Sequence, residues 1–213
     1  MATTDQAFEE GRSARKRRAI LEAATTVFLR NGYRGTSMDE IAALAAVSKQ
    51  TVYKHFADKE RLFGEIVTAT VNHAGDRVHD EVLGLADTDD LEADLRDVAR
   101  RQLALVMQPR VLQLRRLVIG EAGRFPDLGR TFFERGPGRT IEALAAAFER
   151  LAERGLLQLD DARLAAAHFN WLVMSIPLNR AMLLGEDDPP AQAELDRYAD
   201  AGVSVFLAAY RQR

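Results

Sequence analysis

The chain has 213 residues, 47% of them hydrophobic and 29% charged, which suits one large or two small folded domains with a real core. It contains no cysteine, which excludes disulfides, thiolate metal sites and cysteine nucleophiles and fits a reducing cytosol. The net charge of −3 is uneven: Arg12–Lys59 holds ten Lys/Arg against four Asp/Glu, an excess that points to an anionic partner at one end.

Residues 1–14 read as a flexible leader, and "MATTDQAFEEG" has no apolar core to act as a signal peptide. "RSARKRR", Arg12–Arg18, runs into a helix with Ile20, Ala24, Val27 and Phe28 on one face. Gly32 is its natural stop. Ser37, with Glu40 three residues on, reads as a capping box for a second short helix over "MDEIAALA". Ser48 then caps a third helix, "KQTVYKH", and Asp58 a fourth that begins "KERLF". At 100° per residue Val52 and Phe56 lie about 40° apart and face inward, while Gln50 and Lys54 point the other way. Three short helices with tight turns and an exposed polar face on the last make a helix-turn-helix, whose second helix enters the DNA major groove.

The chemistry of that face suits the role. Gln50 can bond adenine with two bonds, lysines 49 and 54 can reach guanine acceptors, and the Thr51 methyl can meet a thymine methyl. Thr36, Tyr53, His55 and Lys59 are placed for phosphates, and the helix N-termini capped by Ser37 and Ser48 add backbone donors. The Arg12–Arg18 arm can follow the backbone or an adjacent minor groove.

"GYRGTSMDEIAALAAVSKQTVYKHFADKERLF", Gly32–Phe63, resembles the DNA-binding domain of the tetracycline-repressor (TetR) family of transcriptional regulators. The likeness runs from about Arg15 to Phe63 and rests on Thr36-Ser37, Val47-Ser48, Tyr53-x-His55-Phe56 and Lys59-Glu60. By it, Lys49, Gln50, Thr51, Tyr53, Lys54, His55 and Lys59 take the family's operator-contacting positions. Ala46 stands where many members have glycine.

After Phe63 the chain still reads as helix, without a strand pattern. Leu91, Leu95, Val98, Leu105 and Val106 form a stripe that Pro109 breaks, and Leu114, Leu117 and Val118 form the next. Ile141, Leu144, Phe148 and Leu151 follow the Gly-Pro-Gly at 136–138, and Gly155 ends that helix. Asp161–Leu184 is apolar nearly all round, as a helix buried on several sides would be, with Pro177 a place for a kink. Its apolar run, Trp171–Leu178, is too short to span a bilayer. The last helix, about Pro190–Gln212, carries Leu195, Ala199, Gly202 and Phe206.

The expected fold is therefore all-α, about nine helices: a helix-turn-helix domain over 15–60 and an effector-binding and dimerisation domain over 61–213. His168, Leu172, Leu195, Ala199, Gly202 and Phe206 are the expected homodimer surface, with Ala199 and Gly202 leaving room for close approach. Two-fold symmetry would set two recognition helices about 34–36 Å apart on a palindromic operator, or further if the site is longer. "RRLVIGEAGRFPDLGRTFFERGP", Arg115–Pro137, is similar to the C-terminal domain of the efflux-repressor-like and AefR-like TetR branch, which implies a small-molecule pocket among these helices.

Glu121, Phe125, Phe132, Phe133, Phe148, Asn170, Trp171 and Met174 are the candidate lining of that pocket, mostly apolar with few polar groups. Glu121 sits on an apolar face and needs a partner, either a polar ligand or an arginine such as Arg124. His168 shares a face with Trp171 and Leu172, as a core or interface histidine or a ligand contact. The four histidines, 55, 73, 79 and 168, lack zinc spacing, no Gly-rich phosphate loop or nucleophile motif occurs, and the Asp187-Asp188 pair lies in an acidic loop. No cofactor and no catalysis are expected. The reading is a cytoplasmic repressor that a mostly hydrophobic effector releases from DNA, with two alternatives: a ligand-independent or activating DNA-binding regulator, or an all-helical enzyme.

Overall fold

The computed structural model describes residues 2–185 and 190–212, with side chains from Gly11 onward apart from 73–81 and 83. The side chains of His73 and His79, and the Asp187-Asp188 pair, lie outside the described residues. The elements in chain order are α1 (Ala2–Gly35), α2 (Met38–Leu44), α3 (Lys49–His55), α4 (Lys59–Leu83), a 3₁₀ turn (Gly84–Asp87), α5 (Leu91–Val106) and α6 (Pro109–Glu121). They continue as α7 (Pro126–Phe133), a π-helical turn (Glu134–Gly138), α8 (Arg139–Glu153), α9 (Ala162–Leu184) and α10 (Gln192–Tyr210). Among the described residues the β structure is a single isolated bridge, Leu157 to Arg211.

Capping chemistry sets the boundaries. Ser37, Ser48, Asp58, Asp90 and Asp161 each accept a backbone N–H three residues on, and each starts a helix. Pro109 and Pro126 occupy first-turn positions, where a missing N–H costs nothing. The capping box at Ser37 is only half formed: Ser37 Oγ accepts from Glu40 N, but the Glu40 carboxylate turns to Arg30 and Asn31 of α1. Gly32 breaks α1 at φ 71°, ψ 173°, a conformation reserved for glycine. Upstream, α1 runs back to Ala2, and no proline interrupts 2–35.

Two cores are stacked along α4. The first gathers Ile20, Phe28, Ile41, Val52 and Phe56 from α1–α3 with Leu62, Phe63, Ile66, Val67 and Val71 of α4. This head thus reaches past residue 60, and Leu114, Val118 and Phe132 of α6 and α7 close it from the body side. The second core joins α5, α8, α9 and α10 around Phe148, Phe169 and Phe206, whose rings lie 5.0–5.7 Å apart.

Leu195, Ala199, Gly202 and Phe206, expected on a dimer surface, are buried inside this second core. The close approach that Ala199 and Gly202 allow is used within the chain: a Cβ at Gly202 would sit 3.0 Å from backbone atoms of Leu172 and Val173 on α9. Gly202→Val should therefore cost about 1–3 kcal/mol of stability by overpacking backbone that cannot yield. Thermal unfolding checks this, and an unchanged midpoint would mean that α9 and α10 slide apart freely.

Candidate functional site

The helix-turn-helix begins with the turn between α2 and α3. Val47 N donates to Ala42 O at 3.0 Å and Ala46 N to Ala43 O at 3.2 Å, which together close the C-terminus of α2. That closure needs a left-handed residue, and Ala46 supplies it at φ 52°, against the preference of a Cβ-bearing residue. Ala46→Gly should thus stabilise the protein by about 1 kcal/mol, read as a rise of roughly 2–4 °C in unfolding midpoint. A lowered midpoint would remove the claim of strain.

Val52 anchors α3 in the head core, which turns Gln50, Tyr53 and Lys54 outward. Gln50 and Lys54 make no side-chain bond to other described residues, and Tyr53 is 44% exposed. Lys49 pairs with Asp39 of α2 at 2.8 Å, and that hydrogen bond raises its pKa above the usual 10.5. Ser48 caps Thr51 N at 3.1 Å and its hydroxyl lies 2.8 Å from that of Thr51, so these two set the helix start. His55 is half-buried against Phe56. The face thus offers neutral hydrogen-bonding groups flanked by cations, as base and phosphate contacts require.

Two of the expected DNA-facing residues turn the other way. Thr36 is buried, and its hydroxyl donates to Gly32 O at 2.7 Å to cap the kink in α1. Lys59 Nζ donates to Tyr33 O and Thr36 O, both at 2.9 Å, and stands 4.6 Å from the centre of the Tyr33 ring. Both serve the link between α1 and α2, because the broken end of α1 leaves carbonyls that need donors. Arg17 of the basic arm is also tied inward, paired with Glu65 and 5.3 Å from the Phe56 ring centre.

The body holds a partly open cavity of about 60 Å³ between α4, α5, α6, α7, α8 and α9. Phe132, Asn170, Trp171 and Met174 line it, as expected. Four other candidates do not. Glu121 is at the end of α6 near Tyr33 of the head, Phe125 stacks edge-on against Tyr33 at 4.9 Å, Phe133 is exposed, and Phe148 is wholly inside the second core. The cause is helix phase: α6 spends its last turn against the head, and α7 turns Phe132 inward and its neighbour Phe133 out.

The polar lining was not anticipated. Gln102 on α5 donates through Nε2 to Asn170 Oδ1 on α9 at 2.9 Å, and both residues are nearly fully buried. Gln102 Oε1 and Asn170 Nδ2 are then left without partners. Arg115 of α6 also lines the cavity, with its guanidinium 5.0 Å from the centre of the Phe132 ring and Nε unsatisfied. Burial alone lowers its pKa from the ordinary arginine value. Gln102 was visible in sequence, as the one polar residue in the stripe Leu95, Val98, Ala99, Gln102, Leu105.

On α9, Leu164, His168, Trp171, Leu172 and Ile176 are exposed, joined by Val205 on α10. His168 Nδ1 lies 2.6 Å from the Tyr210 hydroxyl, which ties the two helices together. No helix among the described residues is long and apolar enough to cross a membrane.

Comparison with known proteins agrees with this layout. A profile of bacterial regulatory proteins of the tetR family matches residues 20–66, and one of the C-terminal domain of AefR-like transcriptional repressors matches residues 93–212. The structure of a TetR-family regulator from Mesorhizobium loti MAFF303099 is 46% identical over 94% of this chain and 98% of that one, with a TM-score of 0.88. That of the flavonoid-responsive regulator FrrA is 33% identical over 94% and 99%, with a TM-score of 0.70. Among curated proteins, the helix-turn-helix regulator YhgD of Bacillus subtilis is 51% identical over 53 residues, 25% of this chain and 28% of YhgD. The chain spans only 26–37% of the length of the first curated relatives it matches. A DNA-reading head on an AefR-like body, matched over most of its length, makes this chain a member of the TetR family of DNA-binding transcriptional regulators.

Proposed function

We propose that the protein is a ligand-responsive repressor that binds a palindromic operator as a homodimer and is released by a small, mostly hydrophobic effector. The observation that carries this reading is the sharing of residues between cavity and head. Val71, Leu114 and Phe132 line the cavity and also belong to the head core. A cavity of about 60 Å³ is well below the 300–1,000 Å³ of sites for drug-sized ligands. An effector of that size must therefore bind a widened state, in which those three residues shift and α4 carries the shift to the head. Such a ligand favours the widened state by construction, which is what release from DNA requires. Coupling of about 1–3 kcal/mol lowers operator affinity roughly 5–150-fold. The full-length likeness to a flavonoid-responsive regulator supports an aromatic effector.

The dimer is assigned to the exposed apolar face of α9 and α10, which includes the expected His168 and Leu172, since Leu195, Ala199, Gly202 and Phe206 are buried within the chain. On the DNA side, Gln50→Ala should cost about 1–3 kcal/mol at the bases it reads and little on random duplex. Lys54→Ala should weaken binding to all sequences and reduce the salt dependence by about one unit of slope. Titration of cognate and random duplexes over a salt series checks both. Equal loss for Gln50→Ala on the two duplexes would rule out base reading by that residue.

A further inference from the structure

We propose that the ligand of the body cavity is an organic anion: an apolar body carrying a carboxylate or phenolate oxygen that pairs with Arg115. The proposal deepens the effector reading above and rests on it. Arg115 lines a cavity made mostly of Val, Leu, Phe, Met and Trp side chains, and among the described residues no carboxylate or carbonyl meets its guanidinium. The Phe132 ring is its one charge-complementary contact, and an aromatic face compensates a buried cation only in part. Arg115 is only half-buried, yet its Nε is buried without a partner, and a negatively charged oxygen is the group that pairs best with a guanidinium, through two parallel N–H bonds.

Across the cavity, the Gln102–Asn170 pair uses one donor and one acceptor on each other and leaves one N–H group and one carbonyl unused. Reversing both amides would preserve that count, so it does not depend on how they are assigned. Asn170 is 1% exposed and Gln102 2%, and both line the cavity. They offer a second polar group of the ligand, a hydroxyl or carbonyl, a matched donor and acceptor. The ligand is thus anionic at the α6 side, apolar in the middle and hydrogen-bonding at the α5–α9 side.

The test uses the full chain, isothermal titration calorimetry and three anions with uncharged counterparts: 3-phenylpropionate and its amide, decanoate and its amide, 4-nitrophenolate and nitrobenzene. At least one anion should bind the native protein ten-fold or more tightly than its counterpart, and the pair that does so separates carboxylate from phenolate. Arg115→Met, or Arg115→Gln should the first not fold, should shrink that preference below about three-fold. If no anion outbinds its counterpart, or if the preference survives both substitutions, the proposal falls. Displacement from a duplex chosen by selection on random DNA separates it from the functional reading. Uncharged compounds that release DNA as well as the anions do would sink the anion while sparing effector release. Arg115-dependent binding that leaves DNA bound would support the anion and sink release.

Discussion

Operator affinity is expected to fall by about 10²–10⁴-fold when the two protomers are separated, because each head then binds without the effective concentration its partner supplies. Leu172→Glu with Ile176→Glu is the variant that should do this. Both side chains are exposed, at 37% and 55%, so carboxylates there leave the fold of one chain intact. In a dimer they would be buried without partners, at a cost of several kcal/mol each. Light scattering should report the mass of one chain, and a palindrome should bind no better than its half-site. A variant that remains dimeric would move the interface off the exposed side of α9.

That interface also shows where sequence reasoning reached its limit. Helix α10 is apolar on two sides: Leu195, Ala199, Gly202, Val203 and Phe206 face α9 and α5, while Ala201, Val205, Ala208 and Ala209 are exposed. Periodicity finds both stripes but does not say which one meets a neighbour in the same chain. Small residues signalled a close approach correctly, and the helix that approaches is α9 of the same chain. The head was far more legible, since its caps, turn and kink are local and each is set by one or two residues. The cavity draws on six helices between Thr70 and Leu178, so its lining depends on packing that no short window contains. Glu121 drew attention as a carboxylate on an apolar stripe, whereas the polar groups in the cavity are Thr70, Gln102, Arg115, Thr140 and Asn170.

Lys59 gives the sharpest contrast between a charge that holds the head together and one that meets DNA. Read as sequence, Lys59 and Lys54 are two cations beside a recognition helix, both expected to weaken binding and flatten its salt dependence when removed. In the structure Lys54 extends from α3 without a partner among the described residues, whereas Lys59 bridges the carbonyls of Tyr33 and Thr36 over the Tyr33 ring. Hydrogen bonds from a charged donor contribute about 1.5–3 kcal/mol each, and two of the three ammonium hydrogens are engaged. Lys59→Met keeps the stem and removes the donors, so it should cost about 2–4 kcal/mol of stability, since both carbonyls then lose their partner. Its effect on the salt slope should be close to zero, because no counterion is released through a group already spent on the protein. Lys54→Ala should do the reverse, with stability unchanged within about 0.5 kcal/mol and the slope reduced by about one. Thermal unfolding and salt-dependent titration on both variants decide the matter. Were Lys59→Met to keep full stability and lose a unit of slope, the ammonium would belong to the DNA contact and its two carbonyl bonds would carry no weight.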